Sequence, residues 1–482
     1  MSNPTEAAER GTLARPLRVA VIGSGPAGVY AADILTKSEP VKNGELVVSI
    51  DLFDRYPAPF GLIRYGVAPD HPRIKGIIQA LHKVLDRGDI RFFGNVDYGT
   101  DLSLDDLKKH YDAVIFATGA IDDASLNIPG IDLKGSFGGA DFVSWYDGHP
   151  DVAREWPLEA KEIAVLGNGN VALDVARVLS KHADDLLVTE IPENVYRELK
   201  KSPVTDVHVF GRRGPAQIKF TPLELRELSH SRDVDIILYP EDFEFDEASD
   251  EAIKTNNQVK TMVNTLTNWL VEQPEESTAS RRLHLHFLHN PVEILGEDGA
   301  VTGIKFERTE LDGTGNARGT GEFLEYPVQA VYRSIGYFGS ALPEIEFDAG
   351  RGVVPNAGGR VLGADGEHLP GIYATGWIKR GPVGLIGHTK GDALETVSYL
   401  LEDLESLPVA EAPEEDAVLA LLEQRGVQLT NWEGWHTLDT HEKALGENFD
   451  AAALGLDLKR ERVKVVDREE MVRISRSINA GV

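Results

Sequence analysis

The stretch LRVAVIGSGPAG, residues 17–28, is the part of the sequence that decides the fold. Residues 17–22 form a short apolar run rich in β-branched side chains, which is typical of a buried parallel strand. The run leads into Gly23-Ser24-Gly25-Pro26-Ala27-Gly28, and residues 29–35 continue in a helical pattern. In a G-x-G-x-x-G turn the first glycine permits the tight turn, the second lets a pyrophosphate approach, and the third lets the helix pack on the strand. The pattern predicts a dinucleotide site at the positive end of a helix.

A carboxylate follows the next predicted strand. Residues 46–53 are largely apolar and end at Asp54. An acidic side chain at the tip of the second strand holds a ribose hydroxyl in such units. The alternative is a glycine turn without a ligand, and the ordered combination of strand, helix and acid disfavours it. The first unit is therefore predicted to bind a dinucleotide with the help of Asp54.

A second unit of the same design begins at residue 163. The short strand IAVL, residues 163–166, precedes GNGNVA, residues 167–172, which is a G-x-G-x-x-A turn followed by a helical pattern. The next predicted strand, residues 206–210, ends in Gly211-Arg212-Arg213. Where the first unit has Asp54, the second has glycine and two arginines. The second turn is therefore a second predicted nucleotide site with a different charge preference.

The arginines indicate which cofactor the second unit binds. A carboxylate would repel a 2′-phosphate, whereas planar guanidinium groups accept it in bidentate fashion. Arg212 and Arg213 thus predict NADP(H), and Asp54 predicts a dinucleotide without that phosphate. The alternative for the two arginines is a solvated charge pair, which their place at the strand tip disfavours. Two such sites in one chain are commonly FAD and a nicotinamide that exchange electrons.

Composition excludes several classes of protein. A chain of 482 residues predicts two domains, and no apolar run is long enough for a membrane span. Cysteine is absent, so disulfides, thiolate metal sites and a redox-active cysteine pair are excluded. The net charge of −29 argues against nucleic acid as a partner. The polar N-terminus does not resemble a secretory signal, and a cytoplasmic location is expected.

Four longer segments carry a family resemblance. They are PFGLIRYGVAPDHP (residues 59–72), GNVALDVAR (169–177), GRRGP (211–215) and GWIKRGP (376–382). In this order they resemble ferredoxin–NADP reductases of the adrenodoxin reductase type, with a likeness that extends over residues 17–405. The resemblance implies an α/β fold with two Rossmann-like nucleotide-binding domains, the NADP domain being inserted into a discontinuous FAD domain. The strand patterns AVIFATG (113–119) and GIYATG (371–376) agree with a chain that leaves the first domain and returns to it.

The resemblance also implies domain boundaries and ligands. The FAD-binding domain is expected at residues 17–119 and 345–407, the NADP-binding domain at 120–344, and a C-terminal extension that packs on the FAD domain at 408–482. The residues expected at FAD are Gly23, Gly25, Pro26, Ala27, Gly28, Asp54, Leu62, Tyr98, Trp377, Gly384, Leu385 and Ile386. Those expected at NADP(H) are Asn168, Gly169, Asn170, Val171, Arg212, Arg213 and Glu224, with Gly384 close to the nicotinamide.

By the same resemblance, His71 and Asp174 are the expected polar pair beside the nicotinamide and the flavin. Taken without it, His71 would be a turn residue of Asp-His-Pro, and Asp174 would pair with Arg177 one helical turn later. No metal ligand set is expected. His284, His286 and His289 alternate with apolar residues as on one face of a strand, and Trp432 and Trp435 are predicted as core or interface residues.

The implied function is transfer of electrons from NADPH, through FAD, singly to ferredoxin or a similar small iron–sulfur protein. Arg226 matches a position at which this family docks its acidic partner, and Lys260 is a second candidate. One alternative is an NADPH-dependent flavoprotein with a quinone or another non-ferredoxin acceptor. A non-catalytic module that binds FAD and NADPH is the alternative from another class, and the intact phosphate turns argue against it.

Overall fold

The structure is a computed structural model that describes residues 9–382 and 386–477. Its strands are β1 (Leu17–Ile22), β2 (Val48–Phe53), β3 (Ile90–Gly94), β4 (Ala113–Phe116), β5 (Asp122–Asp123), β6 (Ser136–Gly138), β7 (Glu162–Leu166), β8 (Asp206–Phe210), β9 (Val234–Leu238), β10 (Arg281–His286), β11 (His289–Glu297), β12 (Ala300–Leu311), β13 (Ala317–Tyr326), β14 (Ala330–Arg333), β15 (Tyr337–Phe338), β16 (Asn356–Ala357), β17 (Arg360–Leu362), β18 (His368–Ala374) and β19 (Thr430–Asn431).

The helices connect and cover these strands. They are α1 (Pro26–Thr36), α2 (Glu39–Lys42), α3 (Leu62–Tyr65), α4 (Pro72–Lys75), α5 (Ile77–Leu85), α6 (Leu104–His110), α7 (Gly139–Tyr146), α8 (Asn170–Ser180), α9 (Ala183–Leu186), α10 (Glu193–Lys201), α11 (Pro222–Leu228), α12 (Glu247–Thr255), α13 (Asn257–Glu272), α14 (Trp377–Arg380), α15 (Ile386–Glu402), α16 (Glu415–Gln424), α17 (Trp432–Glu447) and α18 (Arg468–Ser475). Over the described helices, none is long and apolar enough to cross a membrane.

The first sheet takes strands from both ends of the chain. Its order is β16-β17-β18-β4-β1-β2-β3-β19, and the pairs between β18 and β3 are parallel. Strand β1 is buried along its whole length, because helices and loops cover both faces of the sheet. The order reverses at β1, which pairs with β2 on one side and β4 on the other. Such a reversal opens a crevice at the carboxyl ends of the strands, where ligands bind.

The second sheet is built from the middle of the chain alone. Its order is β6-β14-β7-β8-β10-β9, and every pair in it is parallel. An antiparallel sheet, β11-β12-β13, packs beside it. Where the chain passes between the two large sheets, β5 and β15 pair over two residues. The protein is thus an α/β molecule with two nucleotide-binding folds.

One predicted strand is wrong in extent. His284, His286 and His289 were expected on one strand, but β10 ends at His286 and β11 begins at His289. Leu288 has φ 60°, a left-handed conformation that an apolar residue adopts only where the surrounding turn requires it. The three rings therefore do not share one strand face, and His286 instead bonds His208 on β8 at 3.0 Å.

The C-terminal segment contacts both large sheets. Strand β19 adds to the edge of the first sheet beside β3, and the fully buried Trp435 of α17 joins the core around β1 and β2. Beyond α17 the chain turns to the middle part, where the Arg460 guanidinium bonds the carbonyl of Ile191. The segment therefore packs on the first sheet and also reaches the part of the chain that forms the second.

Candidate nucleotide-binding and electron-transfer site

The first glycine turn leaves no room for side chains at its two outer glycines. Gly23 has φ 110°, and a Cβ there would lie 2.4 Å from the carbonyl oxygen of Ala117. A Cβ on Gly28 would lie 1.9 Å from the carbonyl oxygen of Gly23. Helix α1 begins at Pro26, with no capping side chain and no acidic residue in its first turn. Its N–H groups and the positive end of its dipole are therefore available to phosphates.

Asp54 lies directly after β2 and fixes the turn. Its Oδ2 accepts hydrogen bonds from the backbone N–H of Ser24 at 2.9 Å and from the Ser24 hydroxyl at 2.6 Å. Its Oδ1 accepts from the Tyr56 N–H at 2.9 Å. Burial raises the pKa of Asp54, and the bonds from Ser24 and Tyr56 oppose that shift. The structure places this carboxylate beside the phosphate turn.

Two further segments close around the first turn. A Cβ on Gly61 would lie 3.2 Å from the Cα of Gly25, so the loop before Leu62 runs against the glycine turn. A Cβ on Gly376 would lie 2.6 Å from the Cβ of Ala27, so the start of α14 lies there as well. Trp377 follows directly and shares a contact cluster with Val171 of the second turn. Segments that are distant in sequence thus meet at both turns.

The second turn repeats the design of the first. Gly167 has φ 151°, and a Cβ there would lie 2.3 Å from the carbonyl oxygen of Ser334. A Cβ on Gly169 would meet nothing within 4 Å, which leaves open space at the start of α8. That helix has no capping side chain and no acidic residue in its first turn. The Asn170 amide oxygen accepts from the Thr221 N–H at 2.9 Å and so holds the start of α11 against the turn.

Arg212 and Arg213 follow Gly211 at the tip of β8. A Cβ on Gly211 would lie 3.2 Å from the Asn168 amide carbon, so the strand tip touches the second turn. Arg212 is exposed, and Arg213 makes only long contacts, of 3.5 Å, to the carbonyls of Gly315 and Gln217. Within residues 9–382 and 386–477 neither guanidinium pairs with a carboxylate. Two uncompensated cations beside a phosphate turn fit a 2′-phosphate.

His71 joins the two nucleotide-binding parts. Its Nε2 lies 2.8 Å from the Asp174 carboxylate on α8 and 2.6 Å from that of Glu224 on α11. Burial opposes protonation, but hydrogen bonds to Asp174 and Glu224 outweigh it and raise the pKa of His71 to about 9. Glu224 is 3% exposed, and its Oε2 has no further hydrogen-bond partner among the described residues. That oxygen is the one that faces His71, so the three buried side chains form one charged cluster between the two parts.

A second ion pair accompanies this cluster and was not expected from the sequence. Arg177 donates to both carboxylate oxygens of Asp70, at 2.9 and 2.8 Å, and to Asp174 at 2.9 Å. Lys181 lies 2.7 Å from Asp70. Although burial acts in the other direction, these two cations hold the pKa of Asp70 well below its usual range. Asp174 therefore makes both contacts: it pairs with Arg177, as the alternative without a functional role expected, and it also bonds His71.

Among the remaining expected site residues, Tyr98 makes contacts apart from this arrangement, and the contacts of the other three are not described by the structure. The Tyr98 ring packs on Phe116, and its hydroxyl donates to the carbonyl of Pro343 at 2.6 Å, which gives the FAD prediction no support. Gly384 and Leu385 lie outside the described residues. Ile386 is the first residue of α15, and its side chain is not described.

The histidines of the second sheet form a stack and not a ligand set. The rings of His208 and His284 lie 4.1 Å apart with an interplanar angle of 10°. Parallel imidazoles at this separation cannot direct their in-plane lone pairs at one ion. His284 also bonds the Tyr239 hydroxyl and the Asp206 carboxylate through its two nitrogens. The hydrogen bonds of these rings are made within the protein, as expected for polar side chains on a buried sheet face.

Comparison with known proteins agrees with this geometry. Residues 17–207 match the pyridine nucleotide-disulphide oxidoreductase family. The chain is 40% identical over 472 residues to NADPH-ferredoxin reductase FprA of Mycobacterium tuberculosis (strain ATCC 25618 / H37Rv), with 95% of this chain and 99% of that protein covered. It is 38% identical over 448 residues to the mitochondrial NADPH:adrenodoxin oxidoreductase of Arabidopsis thaliana, with 90% and 92% covered. A solved structure of Mycobacterium tuberculosis FprA in complex with NADPH is similar, with a TM-score of 0.85, 38% identity, and 96% of this chain and all of that chain covered.

Proposed function

Because the chain belongs to the family of NADPH-ferredoxin and NADPH:adrenodoxin reductases, we propose that it passes electrons from NADPH to a ferredoxin-type iron–sulfur protein with FAD as its bound cofactor. One observation supports this most directly. Two uncapped glycine turns, one followed by Asp54 and the other by two unpaired arginines, are linked by the segment of Gly376 and Trp377, which lies against Ala27 and clusters with Val171. Two dinucleotides held in this way place their reactive ends at one junction.

The site residues follow from this arrangement as part of the proposal. FAD would be held by the turn of Gly23 to Gly28, by Asp54 and by Leu62 and Trp377, with Tyr98, Gly384, Leu385 and Ile386 assigned on the family resemblance alone. NADP(H) would be held by Asn168 to Val171, Arg212, Arg213 and Glu224. The domain boundaries proposed are 17–119 with 345–407 for FAD and 120–344 for NADP, and the composition of the two sheets supports them.

The residues of the chain would bind the two nucleotides, orient them and place charged groups beside them. FAD bound here would supply a redox group that can take up one hydride, with its two electrons, and give the electrons up singly, which would connect NADPH to a one-electron carrier. Arg212 and Arg213 select the 2′-phosphate, and the start of α8 receives the pyrophosphate. His71 holds a proton at Nε2 between two carboxylates. We assign His71 and Asp174 the role of orienting the nicotinamide and assisting proton movement beside it.

The proposed partner is acidic, as small iron–sulfur carriers of this class commonly are. Arg226 on α11 is exposed, and its guanidinium bonds the carbonyl of Pro222 and no carboxylate of the described residues. Lys260 on α13 is exposed as well. Both lie in the proposed NADP domain. Free cations on an otherwise acidic surface suit the electrostatic steering of an acidic carrier.

Reduction of cytochrome c by NADPH tests the choice of acceptor. We expect the rate with saturating ferredoxin to exceed the rate without it by at least tenfold, because the carrier shuttles single electrons that the enzyme passes poorly to cytochrome c directly. A ferredoxin whose cluster has been removed is the control. A rate that is independent of the carrier would favour the alternative function, with a quinone or another non-ferredoxin acceptor.

Substitution of His71 tests the charged cluster through its pH dependence. Since the folded pKa is raised to about 9, the histidine contributes stability that is complete below about pH 6.5 and is lost as the pH rises through about 9. We expect His71→Gln to remove this dependence. Between pH 7 and pH 9.5 the free energy of unfolding of the wild type should therefore fall by on the order of 2 kcal/mol more than that of the variant. Thermal unfolding of the flavin-loaded, nucleotide-free proteins measures it, and parallel curves would contradict the assignment.

We also propose a cytoplasmic location, since NADPH is an intracellular reductant. Recovery of the protein in a secreted or membrane fraction of its source cells would contradict this part of the proposal.

A further inference from the structure

The segment of residues 460–468, which we call the bridging segment, lies between the two nucleotide-binding parts. On the NADP side, Arg460 bonds the carbonyl of Ile191, and Arg154 bonds the carbonyl of Val466 at 3.3 Å. On the FAD side, Arg468 bonds the carbonyl of Arg55 at 2.8 Å. The segment is thus hydrogen-bonded to both parts over a few residues. It belongs to the C-terminal extension, which contributes no residue to either phosphate turn.

Lys464 is the centre of these contacts. The side chain is 3% exposed, and its ammonium donates to the carbonyl of Arg64 and, at 3.0 Å, to the carbonyl of Asp147. It also lies 2.8 Å from the Glu190 carboxylate. Burial lowers the pKa of Lys464 to about 8 against the attraction of Glu190, so the ammonium is still mostly charged at neutral pH. One buried cation therefore ties the backbone of the FAD part to the NADP part.

The contacts on the FAD side fall on the loop that carries His71. Arg64, in α3 two residues after Leu62, forms a bidentate pair with Glu442 of α17 at 3.0 and 2.5 Å. Lys75, the last residue of α4, lies 2.5 Å from the same Glu190 carboxylate that faces Lys464. The loop from Leu62 to His71 is therefore held at both ends by residues of the extension and of the NADP part.

Within residues 9–382 and 386–477 the two parts are also linked by an ion pair of Arg55 with Asp151 and by ring contacts of Tyr56 and Tyr65 with His149. The chain crosses between the sheets twice, and the crossing segments pair only over the two residues of β5 and β15. Beyond these, Arg177 and Lys181 bind Asp70, and the His71 cluster itself spans the junction. A junction of this kind is expected to allow relative domain motion unless further contacts restrict it. The buried ion network around Lys464 is a restriction of that sort.

We propose that Lys464 is a positioning residue for hydride transfer, and that the bridging segment fixes the orientation of the NADP-binding part relative to the FAD-binding part. This inference rests on the proposed function. A displacement of about 1 Å between reacting groups can lower a rate about 100-fold. Loosening the junction is therefore expected to slow the transfer step while the binding of NADPH, which depends on the second turn and its arginines, is preserved.

The test compares Lys464→Met with Lys443→Met in rapid mixing of NADPH with the flavin-loaded protein. Lys443 is a half-exposed lysine of the same extension, paired with Asp439 at 2.5 Å within α17, and makes a matched control. For Lys464→Met we expect the limiting rate of flavin reduction to fall at least tenfold, with the NADPH dissociation constant within threefold of wild type and full FAD content. Lys443→Met is expected to behave as wild type. An unchanged limiting rate per bound flavin in Lys464→Met would overturn the inference.

A second variant and a distance measurement distinguish a positioning role from a folding defect. Glu190→Gln keeps the side-chain volume, removes the negative charge that faces Lys464 and Lys75 on the NADP side, and is expected to slow flavin reduction in the same way. The chain has no cysteine, so spin labels attach only at Lys83→Cys and Lys254→Cys, two exposed positions in the two parts. We expect the label distances to spread in Lys464→Met and not in Lys443→Met. Failure of both Lys464→Met and Glu190→Gln to fold, or an unchanged distance distribution, would overturn a positioning role.

The outcomes separate this inference from the proposed function. If NADPH does not reduce the flavin of the wild-type protein, the proposed function is wrong. If the wild type is reduced and both variants are reduced equally fast, only the role of Lys464 is wrong.

Discussion

The double variant Arg212→Ala/Arg213→Ala is expected to prefer NADPH over NADH about 100-fold less than the wild type does. A charge-assisted hydrogen bond contributes about 1.5 to 3 kcal/mol, so the loss of two, even at the lower value, weakens NADPH binding by roughly 100-fold. NADH has no 2′-phosphate, and its use is expected to change little. Since neither arginine pairs with a carboxylate of the described chain, their removal leaves no buried anion uncompensated.

The ratio of kcat/KM for the two nucleotides, with ferricyanide as the acceptor, measures this preference. Arg318→Ala is the control, because Arg318 is an exposed arginine of the same part that pairs with Glu310 on the neighbouring strand. It is expected to leave the ratio unchanged. If the double variant also keeps the wild-type ratio, the 2′-phosphate is bound elsewhere and the assignment of both arginines is wrong.

Gly28→Ala is expected to abolish FAD binding. The added Cβ would lie 1.9 Å from the backbone oxygen of Gly23, and a backbone atom at that distance cannot yield as a flexible side chain can. Helix α1 would have to move away from β1, and the phosphate turn between them would lose its shape. We expect the purified variant to carry less than about a tenth of the wild-type flavin, measured by absorbance of the released cofactor.

Gly391→Ala provides the comparison for that variant. Gly391 lies within α15, where a Cβ would meet nothing within 4 Å and alanine is favoured by helix propensity. Its flavin content is expected to equal that of the wild type. A yellow Gly28→Ala protein with wild-type flavin content would show that the first turn is not where FAD binds.

Both of these predictions concern features that the sequence already indicated. The two glycine turns, Asp54 and the arginine pair depend on short stretches of chain, because a phosphate turn is made of a strand end, a turn and a helix start that are consecutive. The structure places each of them where the pattern predicted, with β1 running into α1 and β7 running into α8. Local chemistry is sufficient here, since each contact joins residues of one βαβ unit.

Outside the two βαβ units, the local sequence pattern predicted the structure less well. The alternation of His284, His286 and His289 predicted one strand, but the left-handed Leu288 ends it, and alternation alone does not reveal a turn. The alternation of neighbouring residues does not determine this turn.

By itself the sequence determined the fold class and the two cofactors, and it predicted the charge preference of each site, because these follow from residue types at fixed local spacing. Only the tertiary structure decided how the sites are joined. His71 meets Asp174 and Glu224 across 103 and 153 residues of chain, and Lys464 meets Arg64 across 400. Such contacts exist only where folding brings distant segments together, and burial then sets their protonation, so no local spacing could have revealed them.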